Sequence, residues 1–261
     1  MFLLGLFKEF FAFFVFVSFH ELGHILVARI FNAKTERIVI NFIGEMAVIK
    51  DIEFLSFFKK FSVFIAGPLV NILFGILFLS FEKTETFLFL SKINFLLAFF
   101  NLLPVYPLDG GRILNLILNQ FFPIIISNKI VIKISFLFSL LFMFFGFLQV
   151  MLFPYNLSLF CIGLYLFKTK YSTYFNMTFN FYKYILKKKG LFKDILPVKV
   201  FYVDGNFEIK KIMKMIYINR YCVFFINSDK NKNLIISEWD IIEYIQKKGS
   251  LGQLIDIVAN K

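Results

Sequence analysis

Cysteine is nearly absent. Cys161 and Cys222 are the only two in 261 residues, one in an apolar run and one in a basic tail, and neither belongs to a C-x-x-C pair. A disulfide framework is therefore excluded as the basis of the fold. Histidine is equally scarce, with His20 and His24 the whole supply. The N-terminal MFLLGLFKEFFAFFVFV lacks a basic start and a small-residue cleavage site, so it does not read as a removable signal peptide. No phosphate-binding loop, internal duplicate or DNA- or RNA-binding motif stands out. Nucleic acid is accordingly not an expected partner, although the formal net charge is +12.

Apolar side chains are what the chain has in excess. They make up 59% of it, aromatics make up 21%, and phenylalanine alone contributes 42 residues. Ordinary globular domains run at about 45–50% apolar, so the composition points to a membrane protein. Five stretches approach the roughly 20 apolar residues that a helix needs to cross a bilayer: about 10–31, 61–81, 86–103, 130–153 and a shorter one at 155–167. A sixth, 112–126, carries Arg112, Asn115, Asn119, Gln120 and Pro123 and is expected to be partly embedded or packed against the bundle. The fold class is thus a multi-span helical membrane protein of about five transmembrane helices with a small C-terminal α/β domain.

Residues 1–168 hold 13 Lys/Arg against 9 Asp/Glu, and residues 169–261 hold 16 against 8. A basic segment following a membrane domain signals cytoplasmic placement near anionic lipid. Lys34, Arg37, Lys50, Lys59 and Lys60 make the 32–60 connection basic as well, so it and the tail are expected in the cytoplasm. The domains are expected at 1–168 (membrane), 169–190 (interfacial basic and aromatic linker) and 191–261 (cytosolic). RIVINFIGEMAVI, at 37–49, is rich in β-branched residues around a central glycine and predicts a hairpin resting on the helices. In the tail, VKVFYV, FEIKKIMKMIYI, YCVFFIN, LIIS and SEWDIIEYIQKK give the order β-α-β-β-α. Ser237 and Asp240 stand in a capping-box arrangement at its last helix.

The stretch FVFVSFHELGHILVARIF places three ionisable side chains in an apolar helix. Each costs on the order of 2.5–3.5 kcal/mol at a bilayer centre on insertion scales. The spacing supplies the compensation. Positions i and i+4 share a helix face, so His20 and His24 can bind one metal ion, and Glu21 stands beside that face to take a proton from metal-activated water. With no further histidine, a third ligand must be a carboxylate or cysteine: Glu9, Glu45, Glu82, Glu85, Asp109, Cys161 or Cys222. Glu9 is about three turns, roughly 16 Å, from His20. Glu82 and Glu85 fall on the outer side by the loop argument, Cys161 in the last span and Cys222 in the tail. Asp109 follows an irregular, proline-interrupted segment on the same side as the histidines and is the best placed; its other reading is a cap on the following helix.

HELGH at 20–24, AGPLVN at 66–71 and NLLPVYPLDGGR at 101–112 resemble the three signature segments of the site-2 protease family, the intramembrane zinc metalloproteases. NLLPVYPLDGG is most similar to the sporulation branch, which processes the membrane-associated precursor of sigma-K. The resemblance implies one Zn²⁺ held by His20, His24 and Asp109, Glu21 as general base and Asn71 lining the substrate path. The tail resembles a single CBS-type module. That implies pairing between two protomers and ATP or another adenine nucleotide as a possible ligand. Partners implied are a pro-sigma-K-like membrane-associated substrate and an inhibitory membrane protein. The branch normally carries a span ahead of the HELGH helix, whereas 19 residues precede His20 here; either the start lies upstream or this is a five-span variant. The alternative is a non-proteolytic membrane sensor with structural zinc and a nucleotide-reading tail. Three protein ligands instead of four, and a glutamate in the base position, count against it.

Overall fold

In the computed structural model the described residues are 2–33, 35–41, 44–49, 52, 55–81, 84–153, 156–169, 177, 197–227, 234–249 and 252–258. They form two compact units: Met1–Leu116 with Ile134–Leu166, and Ile117–Lys133 with Phe167–Lys261. The expected linker, 169–190, lies almost wholly outside the described residues.

The first unit is built on helices α1 (Phe2–Ile30), α2 (Phe57–Ser80), α3 (Glu85–Leu102), the first part of α4 (Asp109–Phe121) and most of α5 (Ile124–Leu152). Among the described residues, four helical segments are long and apolar enough to cross a membrane: Glu9–Ile30, Phe57–Ser80, Glu85–Leu102 and Ile124–Leu152. The fifth expected stretch becomes α6 (Ser158–Thr169). At 1.5 Å per residue this described segment is about 18 Å long, short of a 30 Å hydrocarbon core, so among the described residues four helices reach spanning length and α6 is the shorter fifth. Its start is set by Asn156, whose Oδ1 accepts from the Ser158 backbone N–H and hydroxyl. The stretch 112–126 divides at Pro123 into the end of α4 and the start of α5, so α5 begins at Ile124 instead of near 130.

Polarity in this unit is inverted relative to a soluble domain. His20, His24, Asn71, Ser91, Asn94, Asp109 and Ser139 are buried, while Leu73, Leu96, Phe99, Phe144 and Phe145 are more than half exposed. An outer surface of Leu and Phe over an interior of polar side chains is what a helix bundle in lipid presents. The helices α1, α2 and α3 meet around Phe16, Val17 and Leu97, with Phe16 5.5 Å from the rings of both Phe74 and Phe78. Strands β1 (Thr35–Asn41) and β2 (Gly44–Ile49) pair antiparallel as the expected hairpin, and β2 runs beside α1.

The second unit has ordinary polarity. Strand β3 (Val198–Asp204) pairs parallel with β4 (Tyr221–Asn227), and β4 pairs antiparallel with β5 (Leu234–Ser237). Helices α7 (Ile209–Met213), α8 (Glu238–Lys248) and α9 (Leu254–Val258) complete it. Ile209, Ile212, Cys222, Phe224, Ile226, Ile236, Ile241, Leu254 and Ile257 form its core. The expected β-α-β-β-α order is present, with the first helix cut to five residues. The capping box forms: Asp240 N–H donates to Ser237 Oγ at 3.3 Å, and Ser237 N–H donates to Asp240 Oδ2 at 2.9 Å. Buried Glu238 accepts the Cys222 backbone N–H at 3.0 Å. The turn between α4 and α5 belongs to this unit, through Ile124 N–H to the Ile216 carbonyl and Asn219 to Gln120.

Candidate metal centre

Within α1, His20 and His24 lie one turn apart, each 4% exposed, with ring centroids 4.9 Å apart. Helix α2 runs antiparallel against them and supplies a hydrogen-bond partner to each ring. The His24 Nδ1–H donates to the Val63 carbonyl at 2.6 Å, and the His20 Nδ1–H donates to Asn71 Oδ1 at 3.1 Å. A carbonyl oxygen can only accept, so Nδ1 carries the proton in both neutral rings and Nε2 is left with its lone pair.

Both Nε2 atoms converge on one oxygen. Asp109 Oδ2 lies 3.0 Å from His20 Nε2 and 3.1 Å from His24 Nε2, and the two nitrogens are 3.2 Å apart. Asp109 opens α4, where the 102–108 segment turns back into the bundle. Gly110 makes this possible, because a Cβ there would collide with the carbonyls of Leu102 and Leu103. The Arg112 guanidinium, 3.7 Å from Asp109 Oδ1 and stacked over Phe64, adds a positive charge behind the carboxylate.

At these distances a proton or a metal ion must lie between Asp109 Oδ2 and the two Nε2 atoms. The triangle has the dimensions of a metal site. Donors held tetrahedrally at about 2.0–2.1 Å from zinc lie about 3.3–3.4 Å apart, close to the 3.0–3.2 Å seen here. The neutral-imidazole and carboxylate donor set suits Zn²⁺, and the hydrogen bonds at both Nδ1 atoms are the usual outer partners of metal-bound histidine. Three protein donors leave one position of a tetrahedron for water or substrate, the pattern of a catalytic centre.

Glu21 is half-buried, with a carboxylate oxygen and one ring nitrogen of each histidine within 4.8 Å of one another. It is thus beside the triangle and within reach of water. Asn71 is fully buried against His20. The other carboxylates and thiols considered from the sequence are elsewhere or outside the described residues. Glu9 and Glu85 are exposed, Glu82 and the Glu45 side chain are not among the described parts, Cys161 is exposed on α6 and Cys222 is in the core of the second unit. Sequence reasoning missed the Val63 carbonyl and Gly67. A Cβ at Gly67 would press on His24 Nε2 and lie 2.6 Å from His20 Nε2. The AGPLVN motif contains the signal for the glycine; a backbone acceptor leaves none.

An inverted-polarity helix bundle enclosing two histidines and an aspartate, with a glutamate beside them, defines a membrane protein with a donor set suited to zinc. The sequence model described as peptidase family M50 matches residues 80–146. The solved structure of the site-2 protease from Methanocaldococcus jannaschii is similar with a TM-score of 0.53 and 32% identity, over 63% of this chain and 76% of that one. The chain belongs to the site-2 protease family, peptidase family M50. Two curated relatives are a zinc metalloprotease of Methanocaldococcus jannaschii, 35% identical over 155 residues, and stage IV sporulation protein FB of Bacillus subtilis, 31% identical over 130 residues. These matches cover 56% and 48% of the chain and 45% of each relative, so the chain spans a little under half their length.

Proposed function

We propose that this chain is an intramembrane zinc endopeptidase in which His20, His24 and Asp109 hold the ion and Glu21 is the general base. The observation that carries this reading is the triangle of Nε2, Nε2 and Oδ2 lone pairs, 3.0–3.2 Å on a side. Zinc, when bound there, supplies Lewis acidity toward water and a peptide carbonyl. Glu21 takes a proton from the attacking water and returns it to the leaving amine nitrogen as the C–N bond breaks, so one water is consumed and a carboxylate and an amine are formed. Val63 and Asn71 keep both imidazoles in the Nδ1–H form throughout. A helical substrate must unwind locally to present its carbonyl, because an intact helix keeps that oxygen hydrogen-bonded.

The basic 32–60 connection and tail orient the site toward the cytoplasm, with the C-terminal unit on the same side. A membrane-associated pro-sigma factor is the substrate we favour, supported by the NLLPVYPLDGG segment and by the similarity to a stage IV sporulation protein. The C-terminal unit is read as a CBS-like regulatory module on its β-α-β-β-α order, with an adenine nucleotide and a second protomer as its ligands. An inhibitory membrane protein would restrain a site this close to the cytoplasm. The deciding experiment compares wild type with Glu21→Gln in proteoliposomes containing a tagged pro-sigma-K-like substrate and measures zinc in both. The variant should keep its zinc and lose at least about 100-fold in cleavage rate. If both hold zinc and neither cleaves that substrate or a panel of transmembrane peptides, the proposal is refuted in favour of a non-proteolytic sensor.

A further inference from the structure

Two fully buried amides on neighbouring helices, the first of them in contact with His20, each carry one group with no hydrogen-bond partner among the described residues: Asn71 Nδ2 on α2 and Asn94 Oδ1 on α3. Their identities are fixed by what the other end of each amide does. Asn94 Nδ2 donates to the Leu90 carbonyl at 2.9 Å, a contact only the nitrogen can make, so the oxygen is the free end. Asn71 Oδ1 lies 3.1 Å from His20 Nδ1; with His20 in the Nδ1–H form that turns Nε2 to the Asp109 carboxylate, that oxygen accepts and Nδ2 is the free end. One helix therefore offers an unused donor and the next an unused acceptor, each costly to leave unmade away from water.

The helix register brings them to one level. Ser91 Oγ donates to the Gly75 carbonyl at 2.9 Å, and the Phe95 ring lies against Gly75. The two helices are antiparallel, so Asn71, one turn before Gly75, falls level with Asn94, one turn after Ser91.

We propose that Asn71 and Asn94 form one hydrogen-bonded relay across the α2–α3 interface, joined through a single buried water, and that this relay positions His20. Asn94 orients the Asn71 amide. Asn71 in turn holds His20 as the Nδ1–H tautomer, with Nε2 aimed at the Asp109 carboxylate. Both asparagines are positioning residues, and neither is a ligand. A buried water with two polar partners is an ordinary structural element in a site of this polarity.

The inference rests on His20 being a zinc ligand, and the test separates the two. Zinc affinity is measured by chelator competition on the purified full-length protein in detergent. The set is wild type, His20→Ala, Asn71→Leu, Asn94→Leu, Asn71→Asp and the double variants, each taken from the folded fraction by size exclusion. Asn71→Leu should weaken zinc binding about 10–100-fold, the range for losing an outer partner of a metal-bound histidine. Asn94→Leu should weaken it about 3–10-fold, and the double Leu variant should be no weaker than Asn71→Leu alone. Asn71→Asp keeps the acceptor for His20 and lacks the Nδ2 donor. It should recover most of the affinity lost in Asn71→Leu and be indifferent to Asn94→Leu. Wild-type affinity in Asn94→Leu, or additive losses in the double variant, overturns the relay while leaving His20 a ligand. Undiminished affinity in His20→Ala overturns both.

Discussion

Gly67→Ala is the most informative single substitution, because it changes no ligand, no base and no charge. The added Cβ would stand against His24 Nε2 and 2.6 Å from His20 Nε2. Ordinary contact begins near 3.5 Å, so the rings or the helix must retreat by roughly 1 Å. Metal–ligand distances tolerate only about ±0.2 Å, so the retreat is several times what a zinc site absorbs. The expected result is a loss of zinc affinity of at least about 100-fold, beyond the usual effect of an outer partner. Overpacking should cost the fold only about 1–3 kcal/mol. Zinc content by atomic emission, with chelator competition and thermal unfolding on the same preparation, distinguishes the two effects. A well-folded Gly67→Ala protein binding zinc as tightly as wild type would refute the claim that the Nε2 atoms face an ion at this point.

Asp109→Ala removes one corner of the triangle and should lower zinc affinity more than Asn71→Leu does, by over about 100-fold in the same chelator titration. Removing zinc from wild type should lower its unfolding temperature, since an ion at 100 times its Kd stabilises the folded state by about 2.7 kcal/mol; His24→Ala should show no such chelator effect. Ser237→Ala breaks the capping box of α8 and should destabilise the second unit by about 1 kcal/mol, seen in denaturant unfolding, with zinc content unchanged.

The HELGH pair could be read in the sequence because the chemistry depends on a local interval: four residues in a helix are one turn, and nothing distant alters that. The tail was legible for a related reason. Alternation in β4 buries Cys222, Phe224 and Ile226 against the helices, and the pattern is written in consecutive residues. Asp109 could be singled out only by side and by irregular backbone, since what brings it to the histidines is a loop 85 residues downstream of His24. The Val63 carbonyl could not be singled out, because every residue has one. The last apolar stretch, 155–167, was legible as the shortest of the five. Hydropathy marks the stretch but not its first turn, which Asn156 sets by accepting from Ser158.

Lipid offers helices no hydrophobic reason to associate, so a membrane bundle must be held by close packing and by polar contacts across its interfaces. Here the close packing and the polar contacts coincide with the site. Helix α1 meets α2 where Gly23, Ala66 and Gly67 leave room for the backbones, and in that same layer His24 bonds to Val63 and His20 to Asn71. Asp109 ties the start of α4 to the same two rings. Remove the histidines and this layer of the bundle loses the hydrogen bonds that join α1 to α2 at Val63 and Asn71 and α1 to α4 at Asp109. The buried polar groups that are costly in a membrane are therefore also what holds these helices in register, and an ion among the three donors would strengthen the assembly that creates its site.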